Sequence, residues 1–107
     1  MPRNKTEPAR PCRIEGINPR KDIKVRITGT VLEKDQDSIR MDDGTGTTEV
    51  FVDQDDLEEI QENQKARVLG RVLPTPESFE IQGEFLRPLE EEEFKLYTRA
   101  REVVQDL

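Results

Sequence analysis

The chain has no histidine, no tryptophan and a single cysteine, Cys12, in 107 residues. Without histidine there is no Ser/His or Cys/His nucleophile pair, and zinc sites of the mixed Cys/His kind cannot be assembled. One cysteine excludes a disulfide framework and suits a reducing compartment. Apolar residues are scarce too: 32% of the chain is hydrophobic and 5% aromatic. No apolar run approaches the roughly 18 residues that cross a bilayer. The basic start (Arg3, Lys5, Arg10) leads into prolines and not into an apolar segment. The chain therefore reads as soluble and intracellular, with no membrane contact, no catalytic residues, no metal and no cofactor.

What is abundant is charge, at 38% of residues, with a formal net of -7. A chain of this length holds one domain, and so few apolar residues give it a thin interior. Such domains often complete their burial against a partner. The charge is also uneven: residues 1–22 carry a net +3, which leaves -10 for the remainder. An acidic body repels phosphate at long range and argues against strong nucleic-acid binding by this chain alone.

Residues 1–22 hold Pro2, Pro8, Pro11 and Pro19 among scattered charges. That pattern suits neither helix nor strand and predicts a flexible basic arm, with Ile14 and Ile17 able to strap its end across the next domain. From Ile23 the pattern alternates, with Ile23, Val25, Ile27, Gly29 and Val31 on one face. Gly29 marks the place where a strand of a small barrel coils. Ser38 to Asp42 and Thr47 to Val52 alternate again around Asp43-Gly44, the strongest short hairpin signal. Between Asp53 and Asn63, Leu57 and Ile60 stand at helical spacing and predict a short helix plugging one barrel end. Two further strands follow, Gln64 to Leu73 with Ala66, Val68, Gly70 and Val72 inward, and Phe79 to Arg87 with Phe79, Ile81, Gly83 and Phe85 inward. Five strands with a helix between the third and fourth describe a mainly β protein, the five-stranded Greek-key barrel of the OB-fold, over residues 23–88.

After Pro88 the sequence turns helical over 89–107. Glu90 to Glu93 sit at the start and Arg99 and Arg101 further on, which complements the helix dipole. Leu89, Leu96, Tyr97, Ala100, Val103, Val104 and Leu107 fall on one face. A helix about 27 Å long overhangs a small barrel, so part of that stripe is expected to meet another protein. Phe94 lies off the stripe, placed to pack on the barrel's edge.

Three other features carry less. Gly44-Thr45-Gly46 lies between strands and not before a helix, so it reads as a turn and not as a phosphate cradle. The acidic groups Asp42, Asp43, Asp53, Asp55 and Asp56 lack a recognisable metal-ligand spacing and read as solvated loop charge. OB-folds bind single strands by stacking bases on aromatics while basic residues track the backbone. The candidates for such contact are Arg40 and Phe51, with the outward Lys24, Arg26, Arg67 and Arg71.

The hairpin Ile39-Arg40-Met41-Asp42-Asp43-Gly44-Thr45-Gly46, the strand Val68-Leu69-Gly70-Arg71-Val72 and the Leu96-Tyr97 pair opening the run Arg99 to Val104 are similar to the smallest subunit of replication protein A. Brevity and dense charge point to an archaeal version. The resemblance covers about Ile23 to the end. It implies an assembly subunit of a heterotrimeric single-stranded-DNA-binding complex acting in DNA replication, repair and recombination. Its C-terminal helix would join one helix each from the large and middle subunits in a three-helix bundle. Leu96, Tyr97, Ala100, Val103, Val104 and Leu107 would be the bundle residues. The location implied is cytoplasmic, associated with the nucleoid in an archaeon, or nuclear in a eukaryote. The basic arm departs from the family pattern. Two rival readings remain at this level: an OB module that itself binds single-stranded DNA through Arg40, Phe51 and the arm, and one that binds RNA.

Overall fold

The structure, a computed structural model, describes residues 10–96. Its strands are β1 (Arg10–Pro11), β2 (Lys24–Lys34), β3 (Ser38–Asp42), β4 (Thr47–Phe51), β5 (Lys65–Pro74) and β6 (Phe79–Leu89), with helix α1 (Gln54–Glu59) between β4 and β5. A second helix, α2, occupies 91–96. The strand order is β1-β2-β3-β4-β6-β5, and β5 pairs back onto β2, so β2 to β6 close into the expected five-stranded OB barrel.

Closure depends on β2 serving two neighbours. Its first half pairs with β5 from Lys24↔Arg71 to Thr30↔Lys65, and its second half with β3 from Thr30↔Asp42 to Lys34↔Ile39. The strand changes partner next to Gly29, where a Cβ would collide with the Asp42 carbonyl oxygen. Only glycine allows that approach. The other closing contact is narrow: β4 and β6 run parallel and pair only at Val50↔Ile81 and Phe51↔Gln82.

The period-two pattern fills the interior. Val25, Ile27 and Val31 of β2, Ile39 and Met41 of β3, Val50 of β4 and Ala66 and Val68 of β5 are buried, while Leu57 of α1 and Ile60, the residue that ends it, close one end. Asp53 caps α1, its side chain accepting the Asp56 N–H at 3.2 Å. Gly44 takes the positive φ of 89° that its hairpin turn requires.

The structure differs from the sequence pattern at four places. Ile23 is 43% exposed, because the sheet begins only at Lys24 and the alternation starts there. Phe85 is 55% exposed instead of inward. The β5–β6 register slips between Gly70↔Gly83 and Leu69↔Phe85, leaving Glu84 as an extra residue. This bulge flips the strand's parity, so that Leu86 faces the core opposite Val68. Leu89 is not the start of the last helix but the buried end of β6. The helix begins after Glu90, whose N–H donates to Glu93 Oε1 at 3.3 Å, half of a capping box.

The fourth difference concerns the arm. Residues 1–9 lie outside the described residues, but 10–22 pack on the barrel. β1 runs parallel to β2 through Arg10↔Val25 and Pro11↔Arg26, and the Cys12 N–H donates to the Arg26 carbonyl at 3.1 Å. A 3-10 turn follows at Ile14–Gly16, and Ile14 and Ile17 are buried in the core cluster, the strap that the sequence allowed for. Prolines forbid a long regular element here, but they do not prevent an edge pairing and two apolar anchors.

Candidate nucleic-acid interface

Arg40 and Glu49 face each other on the outer side of the β3–β4 hairpin, and Ser38 pairs with Phe51 one step further along. Arg40 and Phe51 are therefore diagonal neighbours, as their outward positions predict. Phe51 is half-buried and Arg40 exposed. The Ser38 hydroxyl donates to Glu49 Oε2 at 2.8 Å, which fixes that carboxylate over the sheet. An open groove of about 440 Å³ runs over this hairpin, floored by Arg40, Thr47, Thr48 and Glu49. Ile14, Glu15 and Ile17 form one wall, and Ser78 of the β5–β6 loop and Phe79 at the start of β6 form the other. A groove over the second and third barrel strands, beside the loop joining the last two, is where OB-folds take oligonucleotides.

Its electrostatics oppose a phosphate chain. Glu15 and Glu49 line the groove, and Glu33 and Asp35 line the shallow depression continuing from it past Arg40. The Arg40 guanidinium and the Lys34 ammonium, set among these four carboxylates, leave a surface that is not basic.

One groove wall is held by Asp43. Far from being a solvated loop charge, Asp43 is only 6% exposed. Its Oδ2 accepts the Ile14 N–H at 2.8 Å, and its Oδ1 accepts the Thr45 N–H at 2.9 Å and the Thr45 hydroxyl at 2.6 Å. A single carboxylate thus shapes the hairpin turn and ties the incoming strap to it. Nothing in the sequence separates Asp43 from its neighbour Asp42. Only the fold brings Ile14 to it.

The remaining candidate residues are not at this groove. Lys24, Arg26, Arg67 and Arg71 lie on the outer face of β2 and β5, around the barrel from Arg40 and Phe51. Among the described residues no group of three or more His, Cys, Asp or Glu is placed to hold a metal. No helix in that range is long and apolar enough to cross a membrane.

Of the proposed bundle residues, Leu96 is 66% exposed on α2, while Tyr97, Ala100, Val103, Val104 and Leu107 lie outside the described residues. The start of α2 is pinned to the barrel. Arg87 Nη2 meets Glu93 Oε2 at 2.6 Å, and Lys65 Nζ lies 4.9 Å from the centre of the Phe94 ring. Phe94 packs on the barrel's edge as its place off the apolar stripe predicts.

Barrel topology, interposed helix and groove together define an OB-fold protein. No family model and no curated protein matches the chain. Among solved structures, it is similar to the telomere capping protein Ten1 from Saccharomyces pombe, with 21% identity over 94% of this chain and 100% of that one and a TM-score of 0.71. A chain of the S. pombe Stn1–Ten1 complex shares 19% identity over 94% and 95% of the two chains, with a TM-score of 0.68. A chain of a replication protein A heterotrimer bound to single-stranded DNA shares 23% identity over 73% and 66%, with a TM-score of 0.58. At these identities the likeness establishes the fold.

Proposed function

We propose that this chain is a non-catalytic assembly subunit of a single-stranded-DNA-binding complex of the replication protein A kind, acting in DNA replication, repair and recombination. It works where the DNA is, at an archaeal nucleoid in the cytoplasm or in a eukaryotic nucleus. The observation that carries the reading is Leu96, 66% exposed on a helix whose base is fastened to the barrel by Phe94 and Glu93. An apolar side chain displayed on an anchored helix offers a surface to a partner's helix. The acidic groove points the same way, since it leaves DNA binding mainly to other subunits. The structural likeness to chains of the Stn1–Ten1 complex and of a replication protein A heterotrimer supports a subunit role. The partners would be a large and a middle subunit, joined through a bundle of three helices.

The test is co-purification from the host with a tagged chain. Leu96→Glu is expected to lose its companion subunits while its thermal melt stays within a degree or two of the parent, because an exposed site contributes little to folding. A Leu96→Glu chain that still brought down the same partners in full yield would refute the proposal.

A further inference from the structure

Around the barrel from the groove, the outer face of β2, β5 and β6 has a different chemistry. Cross-strand pairing sets its side chains in rows: Thr28 beside Arg67 and Arg87, Arg26 beside Leu69 and Phe85, Lys24 beside Arg71. Lys24 and Arg71 share Glu84 at 3.5 and 3.9 Å, and Arg87 has Glu93. Arg26 and Arg67 have no ion-pair partner among the described residues, and the Nε of each is buried without an acceptor. They are diagonal neighbours on adjacent strands, so two half-buried like charges stand together, an arrangement that opposes folding. The chain has 24 acidic residues against 17 basic ones, so the missing counter-charge does not reflect a shortage of carboxylates. An anion supplied from outside would relieve the pair.

Beside this pair stands Phe85, 55% exposed because the bulge at Glu84 turns it outward. Leu69, half-buried, forms an apolar step between Phe85 and Arg26. An exposed ring flanked by guanidinium groups stacks a base while phosphates are neutralised alongside. An acidic peptide would answer the two arginines alone. The adjacent ring selects a polymer that carries flat bases as well as phosphates.

We infer that the outer face of β2, β5 and β6 binds single-stranded DNA, with phosphates on Arg26 and Arg67 and a base stacked on Phe85. That the strand is DNA rests on the subunit role proposed above. The face is separate from the groove at Arg40 and Phe51, and within the complex it would give the assembly subunit a DNA contact of its own.

The test uses the full chain and a labelled oligo-dT, followed by fluorescence anisotropy over a salt series. Phe85→Ala is expected to weaken binding at least about five-fold at fixed salt. Replacing Arg26 and Arg67 together by alanine should make the slope of log K against log salt shallower by about 1.4, the loss of two phosphate contacts on a single strand. Lys95→Ala, an exposed charge on α2 and outside these three strands, should leave both quantities unchanged. Thermal melts accompany each variant, and folding should survive, since Phe85 is largely exposed and the arginines lose no partner.

The inference is overturned if the parent chain fails to bind at low salt, if the face variants bind as the parent does, or if Arg40→Ala alone abolishes binding. Tighter binding of oligo-rU with the same sensitivity to Phe85→Ala would overturn the assignment to DNA. Polyglutamate that binds as tightly as the oligonucleotide, regardless of Phe85, would reveal an acidic-peptide site instead. Leu96→Glu should keep its affinity for the oligonucleotide, so the subunit role and the DNA face can each fail without the other.

Discussion

Asp56 lies in the first turn of α1, and its carboxyl pKa is raised above the ordinary 3.8, first by burial and then by the charge of Asp53, its hydrogen bond with Asp53, and the nearby Glu59 and Asp55. The folded chain therefore holds this proton more tightly than the unfolded chain does. Its ionisation opposes folding, so the contribution to stability falls as pH rises through the carboxylate range. Asp56→Asn removes that penalty. The variant should match or exceed the parent at neutral pH by no more than about 0.5 kcal/mol, because solvent screens the site. The gain should vanish well below pH 3.8, where both chains are neutral at this position. Thermal melts across pH give the comparison, and a gain that grows on acidification would contradict the assignment. Gly29 and Gly44 show the opposite kind of residue, one whose role was readable in the sequence. A glycine amid a long alternation and an Asp-Gly pair between two strands each have few structural uses.

At the scale of elements, strands and α1 were legible because burial imposes a period on the chain. Ala66, Val68, Gly70 and Val72 of β5 lie inward as that period requires. The period fails where one residue is inserted: Glu84 shifts the register, and no side chain in Gln82-Gly83-Glu84-Phe85 announces the slip except the glycine beside it. The candidate site was legible in part for the same reason. Arg40 and Phe51 share one face of an uninterrupted hairpin, but the turn of Phe85 towards Arg26 and Arg67 depends on the bulge. The strap was legible only in its two isoleucines, Ile14 and Ile17, whereas its backbone bond to Asp43 has no signature in the sequence. That bond should carry much of the link between strap and hairpin. Asp43→Ala leaves the Ile14 and Thr45 donors without their acceptor and should cost about 3 kcal/mol. Urea unfolding measures the loss. Amide exchange at Ile14 should accelerate while exchange along β2–β5 follows only the global change.

The molecule as a whole closes on itself with unequal joints. β2 and β5 pair over a long register, from Lys24 to Thr30 on one side, whereas β4 meets β6 at two residue pairs. Side chains do the rest of the work at that short joint. A Cβ on Gly83 would come within 2.8 Å of the Phe51 carbonyl oxygen and 3.1 Å of a Val52 methyl, so the strands there touch with no room to spare. The barrel consequently resembles a cuff with a single clasp. Gly83→Ala should prise it ajar, with amides of 50–52 and 81–82 exchanging by local opening while those of β2 and β5 stay protected. With so short a clasp the cuff is expected to widen before it melts, shifting the two outer surfaces on either side of it relative to each other.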